Sequence, residues 1–280
     1  MTADFALTSL ADKIQIAPGV EMNRLGLGTY KAVEGPDVAG EIAYGLSVGY
    51  RTIDTAALYH NEQTVGDTLR ASGVARDELF LTTKLWNTEQ GHERALRAFD
   101  ASLEKLGYDC VDLYLVHWPL PDKMRDTWKA MEEIKASGRA RAIGVCNFLP
   151  HHLETLLSFA DVPPAVNQFE HHPRLQQPEL VEYCGSHDIT VQAWAPIMRG
   201  RVLLIPELVQ IAQTHRKSPA QVSIRWILQR GLTTIPKSIH ANRILENSEV
   251  YDFELSDREM AIIESLDQSE RLGPDPDRVG

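Results

Sequence analysis

A chain of 280 residues, 43% hydrophobic and 24% charged, is long enough for one large α/β domain and too apolar for bulk disorder. Its formal net charge of −11 argues against nucleic acid as a general partner, because neutralising a phosphate backbone needs a basic face; a phosphorylated small ligand needs only a few local cations. No run approaches the roughly 18 apolar residues of a membrane span, Met1-Thr-Ala-Asp-Phe has no leader-like basic and apolar pattern, and Cys110, Cys146 and Cys184 form no CxxC pair, which fits a reduced cytoplasmic protein.

The chain opens as a β-hairpin, with Ile14 and Ile16 alternating with polar residues and Pro18-Gly19 turning into Val20 and Met22. Eight short apolar runs follow, predicted as strands at Leu25-Leu27, Thr52-Ile53, Leu79-Thr83, Val111-Val116, Ala142-Val145, Ala165-Asn167, Thr190-Ala193 and Leu232-Ile235. Helical periodicity fills the gaps: Val38, Ile42 and Leu46; Leu96, Phe99, Leu103 and Leu106, stopped by Gly107; Trp128, Met131 and Ile134, closing at Gly138. Ser218-Pro219 opens another helix that ends at Gly231. Strands buried on both faces and separated by helices imply a parallel sheet. An open doubly wound sheet usually carries a Gly-rich turn after its first strand, and Gly26-Leu27-Gly28 does not complete GxGxxG. The expectation is a single (β/α)8 barrel domain over 1–280, with an N-terminal hairpin.

Such barrels gather reactive residues at the strand C-termini. The runs are followed by Gly28-Thr29, Asp54, Lys84, His117, Cys146-Asn147, Gln168, Trp194 and Lys237, with Tyr59 five residues beyond Asp54. Each has a bland alternative. Asp54 could cap a helix, Lys84 could be solvated, His117 could be a hydrogen-bonded core residue, and Tyr59 a packed loop aromatic. Together, from adjacent strand ends, they make a chemical set. A lysine ammonium beside a phenol favours the phenolate and should move its pKa from about 10 toward neutrality. An aspartate would hold that lysine charged, and a histidine could aim a carbonyl at the phenol. Nothing in the set attacks carbon, so that task falls to a cofactor, with hydride as the donor.

The segments IDTAALYHNE (53–62), LTTKLW (81–86), DLYLVHWP (112–119), AIGVCNF (142–148), AVNQFE (165–170), QAWAP (192–196) and IPKSIHANRILEN (235–247) resemble those of the aldo-keto reductase superfamily, in order and over nearly the whole chain. The nearest likeness is to the bacterial branch that includes the 2,5-diketo-D-gluconate reductases. The resemblance implies an NADPH-dependent reductase of aldehydes and ketones. Tyr59 would be its general acid, Lys84 and Asp54 the pair that tunes it, and His117 the residue orienting the carbonyl.

It implies further that Asn147 and Gln168 hold the nicotinamide carboxamide while Trp194 stacks on the ring. Gly28, Thr29, Tyr30, Asp54, Cys146, Ala195, Pro196 and Ile197 would add cofactor contacts; Cys146 and Ala195 stand where the family often has serine. Lys237, Ser238, Arg243, Glu246 and Asn247 resemble the adenosine 2′-phosphate and adenine site, the last three sharing one helix face at i, i+3 and i+4. Ile197 to Arg201 lie where the family's pyrophosphate-side loop sits. Tyr30, Leu58, Tyr59, Trp86, His117 and Trp118 would line the substrate pocket, with the polar C-terminal loop from Arg271 closing over the mouth. Keto-sugars, dicarbonyls and aromatic aldehydes all remain candidates, and a monomer without metal is expected.

Two rival readings stand beside this one. The first is a metal-dependent hydrolase using Asp54, His117 and His171 or His172, although both His-His pairs (151–152 and 171–172) read more simply as structural. The second is a binding or regulatory member that keeps cofactor and turns over slowly.

Overall fold

The computed structural model describes residues 7–30 and 36–279; Met1 to Phe5, Lys31 and Gly280 lie outside them. The hairpin forms as expected, from β1 (Lys13–Ala17) and β2 (Val20–Asn23). The eight strands of the barrel are β3 (Leu27–Gly28), β4 (Thr52–Asp54), β5 (Phe80–Leu85), β6 (Val111–Val116), β7 (Ala140–Cys146), β8 (Val166–Glu170), β9 (Thr190–Trp194) and β10 (Thr233–Thr234), each parallel to the next. Closure comes between the ends of this order: Gly26 N–H donates to Thr234 O at 2.9 Å, Thr234 N–H to Arg24 O at 2.9 Å and Gly28 N–H to Pro236 O at 3.1 Å.

Strand bounds differ from the sequence pattern where polar residues occupy buried strand positions. Lys84 and Leu85 belong to β5 rather than following it, β8 runs on through Gln168 to Glu170, and Trp194 ends β9. The first strand is shifted, with Leu25 making only an isolated bridge to Thr234. Hydrophobicity marks where a strand is buried, whereas pairing continues as long as its neighbour's does.

Helices α1 (Pro36–Val48), α2 (Glu62–Ala71), α3 (His92–Leu106), α4 (Met124–Ala136), α5 (Pro150–Leu157) and α6 (Pro178–Ser186) follow β3 to β8 in turn. Two follow β9, α7 (Pro206–His215) and α8 (Pro219–Gln229), and two follow β10, α9 (Ala241–Ser248) and α10 (Asp257–Glu264). The stop at Gly107 is real: at φ 67° it ends α3, its N–H reaching Leu103 O at 2.8 Å. Ser218 opens α8 in a reciprocal cap with Gln221. The main core lies between strands and helices, around Phe99, Tyr114, Trp128 and Trp226. A second cluster fills the barrel, where Ile16, Val20 and Met22 of the hairpin meet Phe80, Leu113, Leu115 and Val166. The hairpin thus plugs one end of the barrel and leaves the strand C-termini at the other.

Candidate active site

Three strand ends bring the expected charges together. Asp54 is the last residue of β4, Lys84 lies near the end of β5, and both are buried. Lys84 Nζ donates to Asp54 Oδ1 at 2.5 Å, to Thr55 O at 2.9 Å and to Tyr59 Oη at 3.5 Å. An ammonium out of water is tolerated only when its donors are satisfied in this way. Tyr59 is delivered by a single tight turn, Ala57–Tyr59, closed by left-handed His60. Two residues the sequence reading passed over fasten this loop: Asn61 Oδ1 accepts from Thr55 Oγ1 at 2.6 Å, and Asn61 Nδ2 donates to Thr29 O at 3.2 Å.

One expectation is corrected here. Burial holds the Tyr59 phenol well above its ordinary range, with the Asp54 carboxylate, Cys146 and Tyr30 pushing the same way. Lys84 therefore does not bring the resting phenol toward neutrality, and the hydroxyl keeps its proton. His117, the first residue after β6, is displaced oppositely. Burial and the neighbouring Lys84 ammonium hold it well below the usual histidine value, so its ring is neutral. That ring stands at centroid distances of 5.8 Å from Tyr59, 5.3 Å from Trp86 and 6.5 Å from Trp118. Tyr30, 45% exposed, adds its ring 5.1 Å from that of Tyr59. Leu58, between them in sequence, is half-buried.

The residues at the C-terminal ends of β7 to β9 form a polar layer. Asn147, at φ 63°, donates from Nδ2 to His117 O at 3.0 Å and accepts Trp194 Nε1–H on Oδ1 at 2.9 Å. Gln168 Nε2 donates to Asp54 Oδ2 at 2.8 Å and to Gln192 Oε1 at 2.7 Å. Among the described residues, the Gln168 carbonyl oxygen Oε1 meets only the Cys146 thiol, at 3.7 Å. Burial pushes that thiol far above its ordinary value, which makes it inert. Gln192, also missed from sequence, lies inside the barrel beneath this layer, with Nε2 3.3 Å from Met22 Sδ.

Gly28 N–H is spent on strand closure, and Thr29 Oγ1 donates to Asp54 O at 3.0 Å, so both are framework as much as contact residues. Beyond β9, Ala195, Met198, Arg199 and Gly200 all have positive φ, which folds this stretch tightly back on itself. Within it, Pro196 O accepts from Ser223 Oγ at 2.6 Å and Ile197 is half-buried.

The C-terminal segment lies across the loops after β7 to β9. Glu170, buried at the end of β8, accepts Leu272 N–H at 2.8 Å and Gly273 N–H at 3.0 Å, and holds His172 Nε2 at 3.0 Å. A methyl group on Gly273 would stand 2.5 Å from Trp194 Cη2, so the backbone rests directly on the indole. Glu270 pairs with Arg174 and Arg201. Further along, Asp277 meets His151 Nε2 at 2.9 Å and His152 Nε2 at 3.3 Å.

The His-His pairs bear on the hydrolase reading. His171 stacks on Trp226 beside Arg230, and His172 is bound to Glu170. Among the described residues, the group of side chains spaced to share a cation is His151, His152 and Asp277, which contains none of Asp54, His117, His171 and His172. His152 Nδ1 accepts Leu149 N–H at 3.2 Å, which leaves its proton on Nε2 facing Asp277. That tautomer suits a tether for the chain end better than a metal ligand.

Away from the mouth, Lys237 and Ser238 precede α9. Ser238 Oγ accepts His240 N–H at 3.1 Å. The helix face expected to present three residues is graded: Arg243 is exposed, Glu246 half-buried and Asn247 buried.

Comparison with known proteins agrees with this geometry. The Aldo/keto reductase family model matches residues 24–268. The chain is 51% identical to glyoxal reductase of Bacillus subtilis over 272 residues, 97% of this chain and 99% of the relative. It is 46% identical over 271 residues to a putative methylglyoxal reductase DkgA of Salmonella typhi, covering 95% and 98% of the two chains. Among solved structures, an aldo-keto reductase from a Medee basin deep-sea metagenome library superposes with a TM-score of 0.92 at 40% identity, covering 94% of this chain and 98% of the other. A variant of Gox0644 in complex with NADPH gives 0.90 at 42% identity, covering 96% and 98%. With a barrel of the expected topology, a buried Asp–Lys pair at its mouth and relatives aligned almost end to end, the chain belongs to the aldo/keto reductase family and is an oxidoreductase.

Proposed function

We propose that the protein reduces small aldehydes and ketones, dicarbonyls of the glyoxal type foremost, with NADPH as the reductant. The observation that carries this reading is the buried Lys84 ammonium held 2.5 Å from Asp54 and 3.5 Å from the Tyr59 hydroxyl, beside a neutral His117. The cofactor fits the donor set. Gln168 Oε1 is left with a weak thiol partner and can accept from a carboxamide, Asn147 Oδ1 keeps a second lone pair besides the one taken by Trp194 N–H, and Trp194 is partly accessible. Lys237, Ser238 and Arg243 offer two cations and a hydroxyl to a 2′-phosphate, and Glu246 and Asn247 on the same helix would meet the adenine. When bound, the reduced nicotinamide supplies hydride to the carbonyl carbon.

The chain's own groups do the rest. His117 donates a hydrogen bond from a neutral imidazole and orients the carbonyl oxygen toward Tyr59. The phenol, kept protonated by burial, gives its proton to that oxygen as charge develops there. Lys84 then stabilises the phenolate left behind, and Asp54 keeps the ammonium in place for it. Lys84 thus eases the transfer by favouring the phenolate, while burial keeps the resting hydroxyl protonated. Tyr30, Leu58, Trp86 and Trp118 surround the substrate with flat apolar surface. The names of the relatives that reduce glyoxal and methylglyoxal favour dicarbonyls; 2,5-diketo sugars and aromatic aldehydes complete the panel to be assayed.

Replacing Tyr59 by Phe tests the reading. NADPH affinity should stay within about twofold while kcat for methylglyoxal falls by about 10²–10⁴, the usual worth of a positioned acid. Unchanged turnover in Tyr59→Phe would remove the assigned donor. Absence of NADPH oxidation with every carbonyl on the panel would favour a binding or regulatory member instead.

A further inference from the structure

We infer that Glu41 couples binding of a 2′-phosphorylated adenosine at the Lys237–Ser238 site to uptake of a proton, making affinity for the phosphorylated cofactor depend on pH. The inference rests on the cofactor reading given above and adds to it a residue from the opposite side of the site. Glu41 lies on α1, 3% exposed, and both carboxylate oxygens lack a well-formed hydrogen bond among the described residues. The contrast with other buried carboxylates is sharp. Asp54 has Lys84 and Gln168; Asp112 has Arg76, Arg141 and Leu81 N–H; Glu170 has His172 and two tail amides. Glu41 has only the charge of Lys237 and the amide side of Ser238 acting on it, the two residues that open the phosphate site.

Other charged groups on the elements packed against α1 are paired elsewhere or lie nearer solvent. On α2, Glu62 is engaged by Thr83 and by Lys105 at 3.8 Å, and Asp67 pairs with Arg70. On α9, Arg243 is exposed and Glu246 half-buried. Asp37, on α1 itself, is exposed. Tyr50, just beyond α1, is a protonated phenol bonded to Ile244 O. Among the described residues, Lys237 is the one cation that bears on the Glu41 carboxylate.

A buried carboxylate with no well-formed hydrogen bond is costly to keep ionised. Burial pushes Glu41 up to about 7, with Lys237 pulling against it, while burial lowers the lysine itself. Before cofactor arrives, the two share one countercharge relationship. A 2′-phosphate brings two negative charges to the same ammonium and competes with Glu41 for it. Glu41, with only the weak Ser238 amide contact to hold its charge, takes a proton from solvent. NAD(H), lacking that phosphate, leaves Glu41 as it was. The phosphate's own titration, near pH 6, has the opposite sign: binding to cations strips its proton. Above pH 7 the two effects separate.

The test is isothermal titration calorimetry of NADP+ and NAD+ at pH 7.5, each in two buffers of different ionisation enthalpy. Wild type should take up about 0.7 proton with NADP+ and close to none with NAD+. Its NADP+ Kd should weaken toward about tenfold per pH unit above 7. Glu41→Gln should bind NADP+ without uptake and with a flat pH profile, and Glu41→Met, which also cannot titrate, should do the same; thermal melts establish that both fold. No uptake in wild type, or uptake persisting in both variants, overturns the role of Glu41 while leaving a phosphate-selective site intact. Equal affinity for NADP+ and NAD+, insensitive to Arg243→Ala, overturns the cofactor reading and this inference with it.

Discussion

The two ends of the proposed cofactor groove handle charge in opposite ways. At the barrel mouth, Asp54 is held by Lys84 and Gln168, and Asn147 by the His117 carbonyl and the Trp194 indole, all inside the protein and over distances of 2.5–3.0 Å. At the α9 end, Lys237 and Arg243 form no ion pair among the described residues, and the neighbouring Glu41 carboxylate has no well-formed hydrogen bond among them. Where the reaction needs fixed geometry, the fold builds the network itself. Where a ligand brings its own charge, the fold leaves the partners waiting.

The sharpest way to break this contrast is Lys84→Met. If the mouth is a self-satisfied unit, stranding the Asp54 carboxylate should cost about 3–5 kcal/mol in urea unfolding, with kcat down by about 10²–10⁴. A stable, active variant would mean that the pair is dispensable to both. Arg243→Ala should do the reverse: stability within about 0.5 kcal/mol, but NADPH Kd weaker by about 10- to 150-fold, from the loss of a charged hydrogen bond worth about 1.5–3 kcal/mol. NADH affinity, measured by fluorescence titration, should not move.

Gly273→Ala sits between these extremes. Pushing the tail off Trp194 by about 1 kcal/mol of overpacking should raise KM for carbonyl and cofactor by about fivefold, with kcat little changed. The smallest effect expected is none. With His117 held neutral and Tyr59 held protonated, kcat for reduction should be flat from about pH 6 to about pH 9. A bell-shaped kcat profile in that range would show that one of the two titrates where its burial says it does not.

Much of this was legible in the residues. Hydrophobic runs separated by helical periodicity specify a parallel β/α barrel, and reading one residue past each run picked out Asp54, His117 and Asn147 at the mouth. Strand ends were less legible, because Lys84 and Gln168 are polar yet fully buried in β5 and β8, and pattern alone assigns such residues to loops. The direction of the Tyr59 shift was also hidden. A lysine neighbour is visible in sequence, but the desolvation that outweighs it is a property of the packed site. Asn61, Gln192, Glu170 and Glu41 were missed because each acts across elements far apart in the chain. The cue for Glu170 was present in AVNQFE, two residues beyond Gln168 and on the same side of its strand.

The clasp at Glu170 grips peptide nitrogens, those of Leu272 and Gly273, rather than any side chain of the closing segment. Such a fastening is blind to the composition of what it fastens, apart from the one position that must stay bare against the indole. Segments of other lengths and chemistries could therefore be grafted after that glycine and still seat correctly. The barrel would then serve as a fixed chassis whose appetite for carbonyls is retuned by exchanging the seven residues after Gly273.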